Sequence, residues 1–145
     1  MQPTIGNLIV GSWALTNCVD WDANGQSLHF FGSTPSGILM YDEKGHMNVQ
    51  IMNPERPRFK SDAMGVCTPE EASAAFLGYN AYYGRYSEEQ PGEISHVVEG
   101  SLFPNFIGIR FIRYATLQDD KLVLKTPPLV VYDKPMTFQL TWQRL

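Results

Sequence analysis

Short segments in which apolar and polar residues alternate, each closed by a turn signal, run through most of this chain. Alternation of this kind is typical of β-strands that bury one face. The turn signals include Asn24-Gly25, residues 42–45, Pro91-Gly92 and Asp119-Asp120. Strands at such even spacing predict a sandwich or a barrel. The 145 residues suit a single domain that spans the whole chain, 1–145.

Two hairpins are the most specific local predictions. Asn24-Gly25 predicts a tight turn that leads into a strand over residues 26–31. Residues 42–45 predict a turn between strands 37–41 and 46–52. Further strands are predicted over residues 8–19, 81–87, 93–102, 106–117, 121–125, 129–132 and 136–144.

One segment breaks the strand pattern. Thr68-Pro69-Glu70-Glu71 supplies an N-cap, a proline at the first helical position and a capping box. It predicts one short α-helix near residues 69–79. The preceding stretch, 53–67, is long for a connection inside a compact domain, and its apolar residues argue against disorder. We expect it to form a lid-like loop.

Alternation also places polar side chains on the inner face of the predicted sheet. Asn17 shares a strand face with Trp13 and Leu15, His96 falls on the more apolar face of its strand, and Arg113 is a further candidate. Burying such a group without a partner costs about 1–3 kcal/mol, so a solid apolar interior is disfavoured. A barrel of about eight strands has room for one small molecule. We therefore expect a cavity that holds a ligand.

Seven stretches of the sequence carry a resemblance to a known family. They are residues 11–15, 37–41, 45–47, 53–59, 68–71, 78–86 and 96–105. Together they resemble the lipocalin-like domain family of small bacterial and fungal proteins, a calycin-type family distinct from the secreted lipocalins. The resemblance extends over nearly the whole chain, from about residue 8 to residue 144.

The resemblance implies an all-β fold: a closed or nearly closed antiparallel barrel of about 8–10 strands with an internal pocket. It also implies a link to secondary-metabolite biosynthesis, in which similar barrels carry hydrophobic molecules or cyclise and isomerise them. Finally, it implies that Trp13 closes the barrel floor as a structural residue. Its expected neighbour is an arginine from a late strand, either Arg144 or Arg113.

His96 is the first candidate for chemistry, because an imidazole gains and loses a proton near neutral pH. The alternative is a core histidine bonded to a backbone carbonyl or a tyrosine. Tyr82 and Tyr86 share a strand face, and a tyrosine hydroxyl is suited to stabilise an oxyanion. The alternative here is that they are ordinary strand residues. We predict His96, Tyr82 and Tyr86 as catalytic residues.

A second set of residues is predicted to contact the ligand through apolar, aromatic or hydrogen-bonding side chains. Arg56, for example, suits a carboxylate or an enolate, although a solvated loop position is the alternative. The set comprises Asn17, Tyr41, Met52, Arg56, Phe59, Tyr79, Asn105 and Trp142. In strand 46–52, alternation leaves open whether the polar face meets solvent or lines a wet cavity.

The sequence lacks the signatures of several function classes. It has no Gly-rich phosphate loop or dinucleotide fingerprint, and its three histidines and two cysteines are scattered rather than spaced for zinc. A net charge of -4 argues against binding to phosphate backbones. No apolar run reaches the roughly 18 residues of a membrane span. We expect no cofactor, no metal, no nucleic-acid partner and no membrane partner.

The remaining expectations concern the cellular location, the cysteine thiols and the oligomeric state of the protein. The N-terminal residues carry no export signal, which predicts a cytoplasmic protein whose Cys18 and Cys67 are free thiols. An exposed sheet edge would allow a homodimer.

Three functions fit these observations. The first is a cofactor-independent enzyme that cyclises, isomerises or dehydrates a small, largely apolar biosynthetic intermediate by acid/base chemistry. The second is a carrier that binds a small apolar or amphipathic organic molecule without changing it. The third is a non-catalytic partner domain with a filled interior. The sequence favours a pocket, and it does not separate the first two functions.

Overall fold

The computed structural model describes residues 4–145, and β-strands account for most of them. Nine strands lie within these residues: β1 (Gly11–Trp21), β2 (Ser36–Tyr41), β3 (His46–Met52), β4 (Tyr79–Gln90), β5 (Glu93–Ser101), β6 (Arg110–Gln118), β7 (Lys121–Lys125), β8 (Leu129–Val131) and β9 (Lys134–Arg144). Two helices, α1 (Ile5–Leu8) and α2 (Pro69–Leu77), and a 3-10 turn, Pro104–Phe106, complete this part of the chain. Neither α-helix has the length and apolar character needed to cross a bilayer.

The strands form a closed antiparallel barrel. The order is β1-β2-β3-β4-β5-β6-β7-β9, and β1 pairs with β9 to complete the circle. The short strand β8 pairs only with β9 and lies outside this closure, so eight strands make the barrel and a ninth is added to it. The predicted all-β barrel is confirmed.

The closure between β1 and β9 is reinforced at one end of the barrel. Trp13 lies opposite Arg144 in the ladder, and the guanidinium carbon of Arg144 is 4.3 Å from the centre of the Trp13 ring. The indole N–H donates to the Ile9 carbonyl at 2.9 Å. Arg144, rather than Arg113, is therefore the partner of Trp13.

A β-bulge in β1 changes which side chains point inward. Trp13 and Leu15 are buried, but the register with β9 shifts between Leu15 and Asn17. Beyond the shift Asn17 is exposed and Asp20 is buried. The predicted inward orientation of Asn17 is wrong, because the extra residue reverses the alternation.

The segment after β1 is a loop instead of the predicted strand over residues 26–31. The Asn24-Gly25 turn does form, with Gly25 at a φ of 80°. Beyond it, however, the buried Asp20 carboxylate accepts hydrogen bonds from the backbone N–H groups of Leu28 at 2.7 Å and Phe30 at 2.9 Å. Amides bonded to a carboxylate cannot pair with a neighbouring strand.

The predicted helix is confirmed as α2. Thr68 accepts from the Glu71 amide at 3.1 Å, and the Glu71 carboxylate accepts from the Thr68 amide at 2.9 Å. The helix ends at Leu77, and its Phe76 ring contacts that of Phe103 on the β5–β6 connection.

Candidate functional site

The barrel encloses a cavity of about 370 Å³. Its wall is mostly aromatic and aliphatic, with contributions from Leu39, Val49, Ile51, Phe111, Phe138 and Leu140. Phe76 and Leu77 of α2 line it as well and remain about 40% and 41% exposed, which places α2 at the open end. A cavity of this size and character suits one small organic molecule.

Polar residues occupy only part of the wall. They are Tyr79, Asn80, Tyr82, His96, Arg113, Thr126, Tyr132 and the indole of Trp142. Among the buried polar atoms of residues 4–145, the Trp142 Nε1–H is one that lacks a hydrogen-bond partner. The wall therefore offers hydrogen bonds at a few defined places inside an otherwise apolar space.

His96 is one of the polar residues of the cavity wall. The residue is only 2% exposed, and its predicted inward direction is confirmed. The Tyr41 hydroxyl lies 2.7 Å from its Nε2 and the Tyr82 hydroxyl 2.8 Å from its Nδ1. Burial, together with the nearby Arg113 charge, holds the pKa of His96 well below its usual range. The imidazole is therefore neutral at neutral pH.

The two tyrosines that flank His96 keep their hydroxyl hydrogens. Burial raises the pKa of Tyr41 well above its usual value, and the Tyr82 hydroxyl adds to the effect. Burial also raises the pKa of Tyr82, against the opposing influence of the Arg113 guanidinium. Tyr82 lines the cavity, whereas Tyr41 lies behind His96 and does not reach the wall.

Arg113 brings a positive charge to the cavity wall. Its guanidinium carbon lies 4.7 Å from the centre of the Phe111 ring, and Nη1 donates to the Ile112 carbonyl at 3.0 Å. Within residues 4–145 it forms no ion pair with a carboxylate. Arg113 is a candidate for the inner face from the sequence, but it is not among the predicted ligand contacts.

Four of the predicted site residues line the same cavity: Tyr79, Tyr82, His96 and Trp142. Tyr41 joins them indirectly through its hydrogen bond to His96. The Tyr79 hydroxyl donates to the Gln50 side chain and is not free for a ligand in this arrangement.

Tyr86 and Met52 lie away from the cavity wall. The Tyr86 hydroxyl donates to the Asp42 carbonyl at 2.6 Å, and its ring contacts that of Tyr41. Met52 falls on the outer face of β3, opposite the buried Val49 and Ile51. The polar face of strand 46–52 is thus the outer face. A direct ligand contact for either residue is not supported by its position.

The residues predicted from loops are also outside the cavity. The Arg56 guanidinium donates to the Ala75 carbonyl at 3.0 Å and lies over the Tyr79 ring, so it anchors loop 53–67 to α2. Phe59 is half-buried in the same loop, and Asn105 is exposed in the 3-10 turn. Neither reaches the wall, and loop 53–67 contributes no residue to it, whereas Phe76 and Leu77 of α2 do.

The cavity wall also contains phenylalanines that are not among the predicted ligand contacts. Phe30 and Phe31 lie in the loop bound by Asp20, and Phe106 packs edge-on against Phe111 and Phe103. Their aromatic character was the available signal. Because the sequence predicts Phe30 and Phe31 in a strand that does not form, it does not indicate their position in the cavity.

Cys18 does not line the cavity. Its side chain is packed against the core, where burial and the Asp20 charge raise the pKa of the thiol to about 12. Cys67 is exposed, and both residues are free thiols.

The fold and the cavity together define a small β-barrel with an internal chamber of ligand size. The lipocalin-like domain family matches residues 10–145, and the chain belongs to that family. Among its relatives is the 4'-hydroxy-3'-methoxypropiophenone carrier protein of Aspergillus oryzae, which is 33% identical over 107 residues. This match spans 68% of the present chain and 96% of the relative. A solved structure of a redesigned β-barrel aligns with 97% of this chain and 94% of its own length, at 12% identity and a TM-score of 0.46.

Proposed function

We propose that this protein is a binding barrel that takes up one small, largely apolar aromatic molecule and releases it unchanged. The observation that carries the proposal is the cavity of about 370 Å³, whose wall is aromatic and aliphatic except for a few polar groups. Flat aromatic ligands pack favourably against rings such as those of Phe111 and Phe138.

The relative from Aspergillus oryzae supports this choice. Its name describes a carrier of an aryl ketone, a compact aromatic molecule with a short alkyl chain. A molecule of that class matches the mixture of apolar wall and isolated polar groups in the present cavity.

The state of His96 favours binding over catalysis. Both ring nitrogens are engaged by tyrosine hydroxyls, and burial holds the pKa of the imidazole well below its usual range. A general acid or base works best with a pKa near the operating pH and an accessible nitrogen. Acid/base chemistry by His96 and Tyr82 is the second candidate, because both residues line the cavity.

Calorimetric titration with 4'-hydroxy-3'-methoxypropiophenone tests the proposal. The wild-type protein is expected to bind one equivalent, and Leu140→Trp, which fills the cavity from β9, is expected to abolish binding. Gln143→Trp is the matched control on the same strand, because Gln143 is exposed. Absence of binding to the wild type, or equal binding by both variants, would contradict the proposal.

Mass spectrometry separates the two candidate functions. A carrier returns the added molecule with its mass and retention time unchanged after prolonged incubation. A product that forms with the wild type and not with His96→Ala would instead support acid/base catalysis.

A further inference from the structure

The hydrogen bonds around His96 determine which tyrosine has a hydrogen left to offer a ligand. A neutral imidazole has one N–H donor and one acceptor nitrogen. Its two neighbours here are hydroxyls, at Nε2 and at Nδ1. One tyrosine must therefore donate to His96, and the other must accept from it.

Tyr41 is the tyrosine that donates. It is 2% exposed, and within residues 4–145 the bond to His96 Nε2 is the one that its hydroxyl makes. Were Tyr41 to accept instead, its own hydrogen would be buried without an acceptor, which costs free energy. Nε2 is thus the acceptor, and the proton lies on Nδ1.

The Nδ1–H then donates to the Tyr82 oxygen across 2.8 Å. Arg113 lines the same cavity, and its guanidinium carries only N–H donors. With its oxygen accepting from His96, Tyr82 has no protein acceptor for its own hydrogen among the described residues. Because Tyr82 lines the cavity, that hydrogen is available to a ligand.

The neighbouring polar groups have the same hydrogen-bonding character. Arg113 has no carboxylate partner within residues 4–145, and the buried Trp142 Nε1–H is unpartnered. Both residues line the cavity and both are donors without acceptor capacity. The wall residues Tyr79, Asn80, Thr126 and Tyr132 can both donate and accept, so Arg113 and Trp142 are the wall residues that can only donate.

From this arrangement we propose that the cavity selects ligands with a carbonyl oxygen, which accepts the Tyr82 hydroxyl hydrogen beside Arg113. Tyr41 and His96 act as positioning residues, because they fix the direction of that hydrogen. This inference rests on the proposed function and adds to it the chemical group by which the ligand is held.

Two probes that differ at the carbonyl test the inference. They are 4'-hydroxy-3'-methoxypropiophenone and 2-methoxy-4-propylphenol, which keeps the ring substituents and the alkyl chain but lacks the ketone oxygen. Tyr82→Phe is expected to weaken binding of the ketone about tenfold and to change that of the propylphenol less than about twofold. Tyr83→Phe is the matched control, because Tyr83 is the adjacent, 58% exposed residue on the outer face.

Nitrogen-15 NMR of histidine-labelled protein provides an independent readout of the positioning role. The ligand-free wild type is expected to show His96 protonated at Nδ1. In Tyr41→Phe, Nε2 loses its donor, so the ketone is expected to bind several-fold more weakly although residue 41 does not line the cavity.

The outcomes distinguish this inference from the proposed function. A His96 proton on Nε2, or equal losses for both probes in Tyr82→Phe, would overturn the carbonyl anchor while leaving a binding barrel in place. If the wild type binds neither probe, the proposed function and the carbonyl anchor both fail.

Discussion

His96 shows how one buried residue links the stability of the barrel to its site. Its surroundings are the hydroxyls of Tyr41 and Tyr82, the Arg113 guanidinium and aromatic rings. Burial deprives an imidazolium of water at this position, and the Arg113 charge repels it, so the charged form of His96 is disfavoured. The folded protein therefore resists protonation of His96, whereas the unfolded chain does not.

Acidification is expected to destabilise the protein through this residue. The unfolded histidine takes up a proton as the pH falls through 6.5, and the lowered pKa of His96 prevents the folded state from doing so. The unfolded state binds more protons, so the contribution is fully present above that pH. Below it, stability is lost at about 1.4 kcal/mol for each pH unit until the folded pKa is reached.

Urea denaturation at pH 7.5 and pH 5.5 measures this effect. The wild type is expected to lose about 1.4 kcal/mol between the two conditions, and His96→Gln is expected to lose much less. His29 and His46 are present in both proteins and cancel in the comparison. An equal loss in the two proteins would assign the pH dependence to other groups.

At the scale of the elements, the capping signal of α2 predicts its element correctly, whereas the Asn24-Gly25 turn predicts a following strand that does not form. The capping box of Thr68 and Glu71 acts within four residues, and α2 formed where the sequence placed it. Alternation likewise predicts the inward direction of His96, which the structure confirms. The loop that replaces strand 26–31 depends instead on Asp20, whose inward orientation follows from a bulge that nothing in the local sequence marks.

The same limit explains why several predicted site residues lie outside the cavity. Tyr41 meets His96 across 55 positions of sequence, and only the register of the sheet brings the two together. Arg56 and Asn105 were chosen for their chemistry, but their loops direct them to other backbone groups or to solvent. The type of a residue indicates which hydrogen bonds its side chain can form, whereas the fold determines which partners lie within its reach.

Asp20 is expected to hold the loop 22–35 and, with it, part of the cavity wall. Burial acts to raise the pKa of this carboxyl, but hydrogen bonds from Phe30, Ser27, Leu28 and His29 outweigh it and lower the pKa. Asp20→Asn removes the charge that these donors share. We expect a loss of about 2 kcal/mol of stability, the scale of hydrogen bonds to a charged group.

Hydrogen exchange locates this effect in the structure. The amides of residues 28–30 are expected to exchange faster in Asp20→Asn, and ligand binding to weaken because Phe30 and Phe31 line the cavity. Asp62→Asn, at an exposed position in loop 53–67, is the control for charge loss alone. Unchanged exchange at residues 28–30 would show that the carboxylate does not hold the loop.

At the scale of the whole molecule, the residues that close the barrel differ from those that line the cavity. The seam between β1 and β9 is held at one end by Trp13 and Arg144, neither of which lines the cavity. Arg144 donates to the carbonyls of Val10 and Leu8 at 2.9 and 2.6 Å, and these partners lie 134 and 136 positions away in the sequence. The two ends of the described chain are thereby joined without any group from the cavity wall.

Arg144→Ala is therefore expected to destabilise the barrel by about 2 kcal/mol, because it removes the cation–π contact and leaves backbone carbonyls to be resolvated. Chemical denaturation measures the loss, with Arg85→Ala as the control. The Arg85 pair with Glu99 is long, 4.0 Å, and more than half exposed on the arginine side, so its removal should change stability by about 0.5 kcal/mol or less.

Under conditions where Arg144→Ala remains folded, its affinity for 4'-hydroxy-3'-methoxypropiophenone should match that of the wild type. Equal stability of the two variants would show that the ladder alone closes the barrel, and a loss of affinity in the folded Arg144→Ala protein would show that the closed end also shapes the cavity.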